Sequence, residues 1–258
     1  MYEKVLESKR VSILSEPLLQ AMGAQDYLCC EEEVLVSDKY ANQLYFECFD
    51  NINKGCIWTD LGVILNGEVH TFWNRKLESM NSEDPFKEKK VNELSIRLHR
   101  KASPAWHYRR LLFSQYDFNL TEELEFLKEI ADLQKQNYYL WEYKRWLWTQ
   151  LDSELQLKDF KSHLKYCSSH ISDSSSFHFL FFVCKELGKF LECYEWICKL
   201  CQTYYGPKGL YTEKAPAGYE TLHLFRSKVR SPNQVPNEIG YLREQTSLGR
   251  SPQIYFNF

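Results

Sequence analysis

The apolar and aromatic positions of this chain fall into a block that returns. Ala105-Trp106-His107-Tyr108-Arg109-Arg110-Leu111-Leu112 recurs as Leu140-Trp141-Glu142-Tyr143-Lys144-Arg145-Trp146-Leu147, the tryptophans 35 residues apart. Ser176-Phe177-His178-Phe179-Leu180-Phe181-Phe182-Val183 is a third copy, with Phe177 36 residues after Trp141. An earlier copy, Phe72-Trp73-Asn74-Arg75-Lys76-Leu77, places Trp73 33 residues before Trp106. A degenerate fifth is Thr221-Leu222-His223-Leu224-Phe225-Arg226. Self-similarity at this period marks stacked supersecondary units.

Each period reads as two helices. In the block helix, Trp106, Arg110 and Phe113 stand at i, i+4 and i+7 on one face. Asn119, three before Glu122, is a capping-box pattern, and Glu122 and Glu123 suit a helix N-terminus. Leu124, Leu127 and Ala131 then continue as an apolar stripe. Ser153 and Gln156 repeat the capping pattern before Leu157, Phe160 and Leu164. Upstream, Val91, Leu94 and Leu98 give the stripe of the helix before Trp106. A hairpin of this size cannot bury both faces alone, so the pattern predicts an all-α fold, an α-α superhelix of antiparallel helix hairpins. Trp73, Trp106, Trp141, Phe177 and Leu222 are its expected repeat core. Arg109 and Arg110 lie only about 100° apart on the wheel, so they cannot both enter that core.

The flanks differ. Residues 1–55 predict a helical segment with helices around 3–14 and 39–49, while Cys29-Cys30-Glu31-Glu32-Glu33-Val34-Leu35-Val36 suits helix or strand. Repeats of the same kind fill 56–228. Pro207, Pro216, Pro232, Pro236 and Pro252 loosen the C-terminal end, with short helices expected near 218–228 and 236–247 and a tail over 229–258.

Composition narrows the function. Of 258 residues, 44% are hydrophobic and 16% aromatic, so a sizeable core is available. The net charge of -3 gives no basic excess for nucleic acid. The most apolar stretch, Phe177 to Cys184, is eight residues with His178 inside it, too short to span a bilayer. Met1 to Arg10 is charged and lacks an apolar core, so no secretory leader is expected there, and Tyr2 does not suit N-myristoylation. The expectation is a cytoplasmic protein whose nine cysteines are reduced. Cys193, Cys198 and Cys201 come nearest to a metal cluster, but no second Cys or His pair completes four ligands. Gly-rich phosphate loops, H-E-x-x-H and nucleophile elbows are absent from the sequence.

At Trp106-His107-Tyr108-Arg109-Arg110, and at Asn137-Tyr138-Tyr139-Leu140-Trp141 with its Asn-Tyr lead-in, the chain resembles the protein prenyltransferase alpha subunit family. The resemblance covers roughly residues 60–228. It implies a crescent of helical hairpins that wraps a separate beta subunit, of the Rab geranylgeranyltransferase type. That subunit would hold the zinc and the isoprenoid, so this chain needs no cofactor of its own. The implied substrate is a protein with a C-terminal cysteine, alkylated at its thiol by geranylgeranyl diphosphate. The farnesyltransferase alpha chain has a lysine directly before this Asn-Tyr, whereas here Gln136 stands there and Lys135 one residue earlier. Lys135, Tyr138, Arg145 and Arg109 are the residues expected to face the partner or the diphosphate. The alternative reading is a free-standing helical-repeat adaptor that binds peptides and has no enzymatic role.

Overall fold

The computed structural model describes residues 1–205. The chain divides into two compact units, Met1–Gln150 and Leu151–Phe258. The first opens with α1 (Tyr2–Glu7), β1 (Arg10–Leu14), α2 (Glu16–Ala21), β2 (Tyr27–Cys29), β3 (Glu33–Ser37) and α3 (Asp38–Asp50). It continues with α4 (Cys56–Leu65), α5 (His70–Ser79), α6 (Pro85–Leu98), α7 (Ser103–Gln115), α8 (Leu120–Leu133) and α9 (Tyr138–Trp148). The second unit contributes α10 (Ser153–Ser169), α11 (Ser174–Glu186) and α12 (Phe190–Tyr205). From α5 onward the described chain is helix hairpins alone, as the repeat predicts. The expected helices near 218–228 and 236–247, and core residue Leu222, lie outside the described residues.

The helix expected over 3–14 is a correction. It stops at Glu7, and residues 10–14 form β1. Val11 and Ile13 alternate and carry branched β-carbons, which favour a pleated strand. They pair in parallel register with Val34 and Val36 of β3, while β2 adds antiparallel on the other side. The order β1-β3-β2 makes β3 central, and Val34, Leu35 and Val36 are all buried. A strand covered on both faces reads as a continuous apolar run, which left helix and strand undecided in sequence. The helix expected over 39–49 is α3.

Helix starts follow the side chains that accept their free N–H groups. Asp84, Asn119, Asn137, Asp152 and Asp173 each cap the helix that follows. At α10 the cap is Asp152, one residue before the Ser153 expected from the pattern.

Trp73, Trp106, Trp141 and Phe177 are all buried. In the first unit the rings also register one hairpin on the next. Trp73 packs against Tyr108 at 5.2 Å and Trp106 against Tyr143 at 5.6 Å, both at an interplanar angle of 44°. Each indole N–H donates to a carbonyl six residues upstream, Trp73 to Gly67 and Trp106 to Arg100, both at 2.8 Å. The contact is therefore directional as well as apolar, because a buried indole N–H needs a partner. The Phe72 ring of α5 packs directly on Gly62 of α4, where a β-carbon would lie 2.5 Å from it.

Two variants test this packing. Trp106→Ala removes an indole and leaves a cavity, so it is expected to cost about 3–5 kcal/mol in denaturant unfolding. Gly62→Ala forces α4 off Phe72 and is expected to cost about 1–3 kcal/mol by the same measurement.

Candidate functional site: charged clamps and a loop edge

The charged residues of the repeat separate into an inner set and an outer set. Three residues after Trp73, Trp106 and Trp141 stand the buried cations Lys76, Arg109 and Lys144. Lys76 donates to Asp60 of α4 at 2.5 Å and to Glu88 of α6, which also accepts from the Tyr108 hydroxyl. Tyr2 and Lys87 reach the same Asp60 carboxylate, at 2.5 and 3.0 Å. Arg109 makes a two-pronged contact with Glu123 of α8, its Nε at 2.6 Å, and also donates to Asn92 at 3.0 Å and Glu93 at 3.3 Å. Its guanidinium lies 4.1 Å from the centre of the Phe126 ring.

Electrostatics keep this inner set fixed. Burial opposes the Arg109 charge, but the Glu123 carboxylate overrides it and holds the guanidinium above its usual range. Burial, and then Glu123, push the Tyr143 phenol well up. Burial raises Glu88, against the pull of Lys76 and Tyr108. A charge this deep is tolerated only when paired and hydrogen-bonded.

Arg109 was expected at a partner- or diphosphate-facing surface. The structure corrects this: it is 0% exposed and fully engaged within the chain. Arg110 is the exposed member of the pair, its guanidinium 5.3 Å from the Trp146 ring. The buried face of α7 therefore runs Ala105, Trp106, Tyr108, Arg109 and Leu112, one position away from the expected Trp106-Arg110-Phe113 stripe. On α8 and α10 polar residues also occupy core positions: Glu123 on the first, Asp159 and His163 on the second, while Leu157 is exposed.

The outer set lies on the loops before the block helices. Lys135 is exposed in the α8–α9 loop, and Tyr138 begins α9 with 61% exposure. Arg145, half-buried, follows Tyr138 by seven residues and so shares its face of α9, about 10 Å along the axis. Thus the structure brings Lys135 and Tyr138 to one end of α9, sets Arg145 further along, and removes Arg109 from the surface. Between Lys135 and the cap Asn137, Gln136 has φ 54, left-handed for a side-chain-bearing residue. Such a backbone costs a non-glycine residue about 1–2 kcal/mol.

Two residues join this edge that the sequence reading passed over. Asn137 Nδ2 donates to the Arg100 carbonyl at 2.6 Å, which ties the α8–α9 loop to the α6–α7 loop. Arg100 and Lys101 stand six and five residues before Trp106, the offsets of Lys135 and Gln136 before Trp141. That shared offset was the signal. The edge therefore carries Arg100, Lys101, Lys135 and Tyr138. Among the described residues, no group of three or more His, Cys, Asp or Glu side chains is placed to hold a metal ion. No helix of the described residues is long and apolar enough to cross a membrane.

The α6–α7 loop has its own pH-sensitive tie. His99 Nε2 lies 3.1 and 3.0 Å from the Ile64 and Leu65 carbonyls at the end of α4. Burial lowers its pKa, against the pull of these carbonyls and of Glu68. The fold thus favours neutral His99, whose contribution is full above the ordinary value of about 6.5 and declines as pH falls below it. Melting temperature is expected to drop between pH 7 and 5, with a shallower drop in His99→Gln. For the inner set, Arg109→Met strands Glu123 and is expected to cost about 3–5 kcal/mol in equilibrium unfolding. Adding Glu123→Leu should recover most of that loss, which a double-mutant cycle measures.

The family model of the protein prenyltransferase alpha subunit repeat matches residues 120–151, which hold α8, its loop and α9. The human protein named "Protein prenyltransferase alpha subunit repeat-containing protein 1" is 25% identical, over 48% of this chain and 38% of its own length. The chain therefore spans well under half of that relative. With buried rings at the repeat spacing and this matched segment, the chain carries the helical repeat of protein prenyltransferase alpha subunits.

Proposed function

We propose that this chain is an alpha-type scaffold that works only with a beta subunit, in transfer of a geranylgeranyl group to a protein cysteine. The observation that carries this reading is the division of charge in the hairpins of the first unit. Lys76 and Arg109 are consumed in holding hairpins together, while Arg100, Lys101 and Lys135 stand on one loop edge beside exposed Tyr138. The reaction joins a substrate cysteine sulfur to C1 of the isoprenoid and releases diphosphate, whose growing charge requires cations. In this reading the beta subunit, of the Rab geranylgeranyltransferase type, holds zinc, isoprenoid and the substrate's C-terminal cysteine in the cytoplasm. The chain's own part is to dock that subunit and to present Arg100, Lys101, Lys135 and Tyr138 along the seam. Left-handed Gln136 joins Lys135 to the Asn137 cap in this loop.

Co-expression with prenyltransferase beta subunits, followed by affinity capture and transfer of labelled geranylgeranyl diphosphate, tests the proposal. A stable one-to-one complex, active only as the mixture, is expected. A chain that stays alone with every beta subunit tried, and instead captures peptides, returns the adaptor reading. In the active complex, Lys135→Ala should lower transfer at least several-fold, with stability within about 0.5 kcal/mol of the unaltered chain. Full activity of that variant would remove Lys135 from the seam.

A further inference from the structure

The last described hairpin departs from the ionic clamps at Lys76 and Arg109 in a specific way. In α6 and in α8 the fourth residue is a buried carboxylate, Glu88 and Glu123. Each meets the cation three residues after its block ring. In α12 the fourth residue is Cys193, 1% exposed. Three residues after Phe177 comes Leu180, apolar and buried, so the ionic clamp has no cation here. One turn beyond Leu180, on the same face of α11, is Cys184, 0% exposed, and its sulfur is joined to that of Cys193. A sulfur thus holds the place of the anion, and a covalent bond holds the place of the ion pair.

The turn between these helices presets the contact. Gly188 has φ 67, a left-handed conformation that suits glycine at a helix end. Lys189 N–H returns to the Cys184 carbonyl at 2.9 Å, and Cys193 N–H donates to the Lys189 carbonyl at 3.1 Å. Cys184 and Cys193 are nine residues apart with Cα atoms 6.8 Å apart. The two thiols therefore stay neighbours when reduced, at high effective concentration. The expectation of reduced cysteines throughout does not describe this pair.

We propose that Cys184 and Cys193 form a reversible redox clamp, which locks α12 onto α11 when oxidised and leaves it free to open when reduced. The oxidant class is a low-molecular-weight disulfide such as glutathione disulfide. One cysteine thiolate attacks it, expels one thiolate and forms a mixed disulfide. The second cysteine then attacks its neighbour's sulfur and expels the other thiolate. Two protein thiols are oxidised and one small disulfide is reduced to two thiols. Both protein sulfurs are buried, so exchange requires the hairpin to part, and its rate reports that opening. In a reducing compartment a bond of this kind is regulatory rather than permanent.

The full chain, equilibrated in glutathione buffers of graded poise, then alkylated and mapped by mass spectrometry, gives the state of each cysteine. Hydrogen exchange of the α12 amides is read in parallel. The expected result is a linked peptide pair holding Cys184 and Cys193 in oxidising buffer and two alkylated thiols in reducing buffer. Exchange at α12 should be slower by about thirtyfold or more in the oxidised chain, the typical scale for one disulfide. The Cys184→Ala, Cys193→Ala double variant should show one α12 exchange rate in both buffers. Separate alkylation of the two cysteines at every poise would overturn the proposal. So would equal α12 exchange in the oxidised and reduced unaltered chain, or a redox effect that survives in the double variant.

Discussion

The first unit depends on placing full charges where a repeat would ordinarily place leucine. Lys76 and Arg109 are each 0% exposed, and each meets the fourth residue of the following helix. Desolvating both partners costs several kcal/mol per ion, so the pair contributes little net stability over an apolar pair of the same shape. Its strength is selectivity. A hairpin rotated by one residue, or slid by one turn, leaves a bare charge in the core. Aromatic contacts tolerate such slips, because rings pack acceptably over a range of offsets and tilts. The clamp does not. The repeated 44° tilt of Trp73 on Tyr108 and of Trp106 on Tyr143 is then the geometry left once the charges have set the register.

This division explains what was legible in the sequence. The rings were, because a Trp or Phe every 33 to 36 residues has no common meaning other than repeated packing. The starts of α8 and α10 were too, within a residue, since caps act locally. Arg109 was not, because its partner Glu123 is 14 residues away on another helix. A helical wheel gives no weight to a partner on another helix, so the inferred stripe took Arg110 and Phe113 where the structure buries Arg109 and Leu112. The same error moved the α10 stripe toward Leu157 and away from Asp159 and His163. The mixed sheet was half legible. Val34, Leu35 and Val36 announce a buried segment, but their pairing with Val11 and Ile13 spans more than twenty residues and leaves no local trace.

Candidate chemistry follows the same rule from the opposite side. A cation consumed by the core cannot also meet a ligand, so burial removes Arg109 from the functional set. What remains exposed gains meaning from its position. Lys135 is one lysine among many in composition. It becomes particular because Asn137 anchors its loop to the Arg100 carbonyl, and because left-handed Gln136 stands between them. A strained loop persists where surrounding contacts over-determine it. Here those contacts are the Asn137 cap on α9 and its bond across to the preceding loop.

The N-terminal sheet meets a need that repeats create for themselves. A stacked hairpin array ends in an apolar face with no successor, and such faces require a cap. In the first unit β1 and α1 pack on α6 while α3 packs on α4. Buried Val5 and Val11 supply the apolar surface, and the Tyr2 hydroxyl enters the clamp itself by donating to Asp60. The cap thus uses both languages of the repeat, apolar contact and buried charge. Asp60 accepts from Lys76 on one oxygen and from Tyr2 and Lys87 on the other, so the carboxylate is satisfied on both sides. Without Tyr2 one of those three donors is gone from a site that is 0% exposed. The cost of an under-satisfied buried carboxylate then falls on the first hairpin, whose Lys76 shares it. For this reason the N-terminal segment, through Tyr2 of α1, is better understood as the first element of the charged ladder than as an appendage to it.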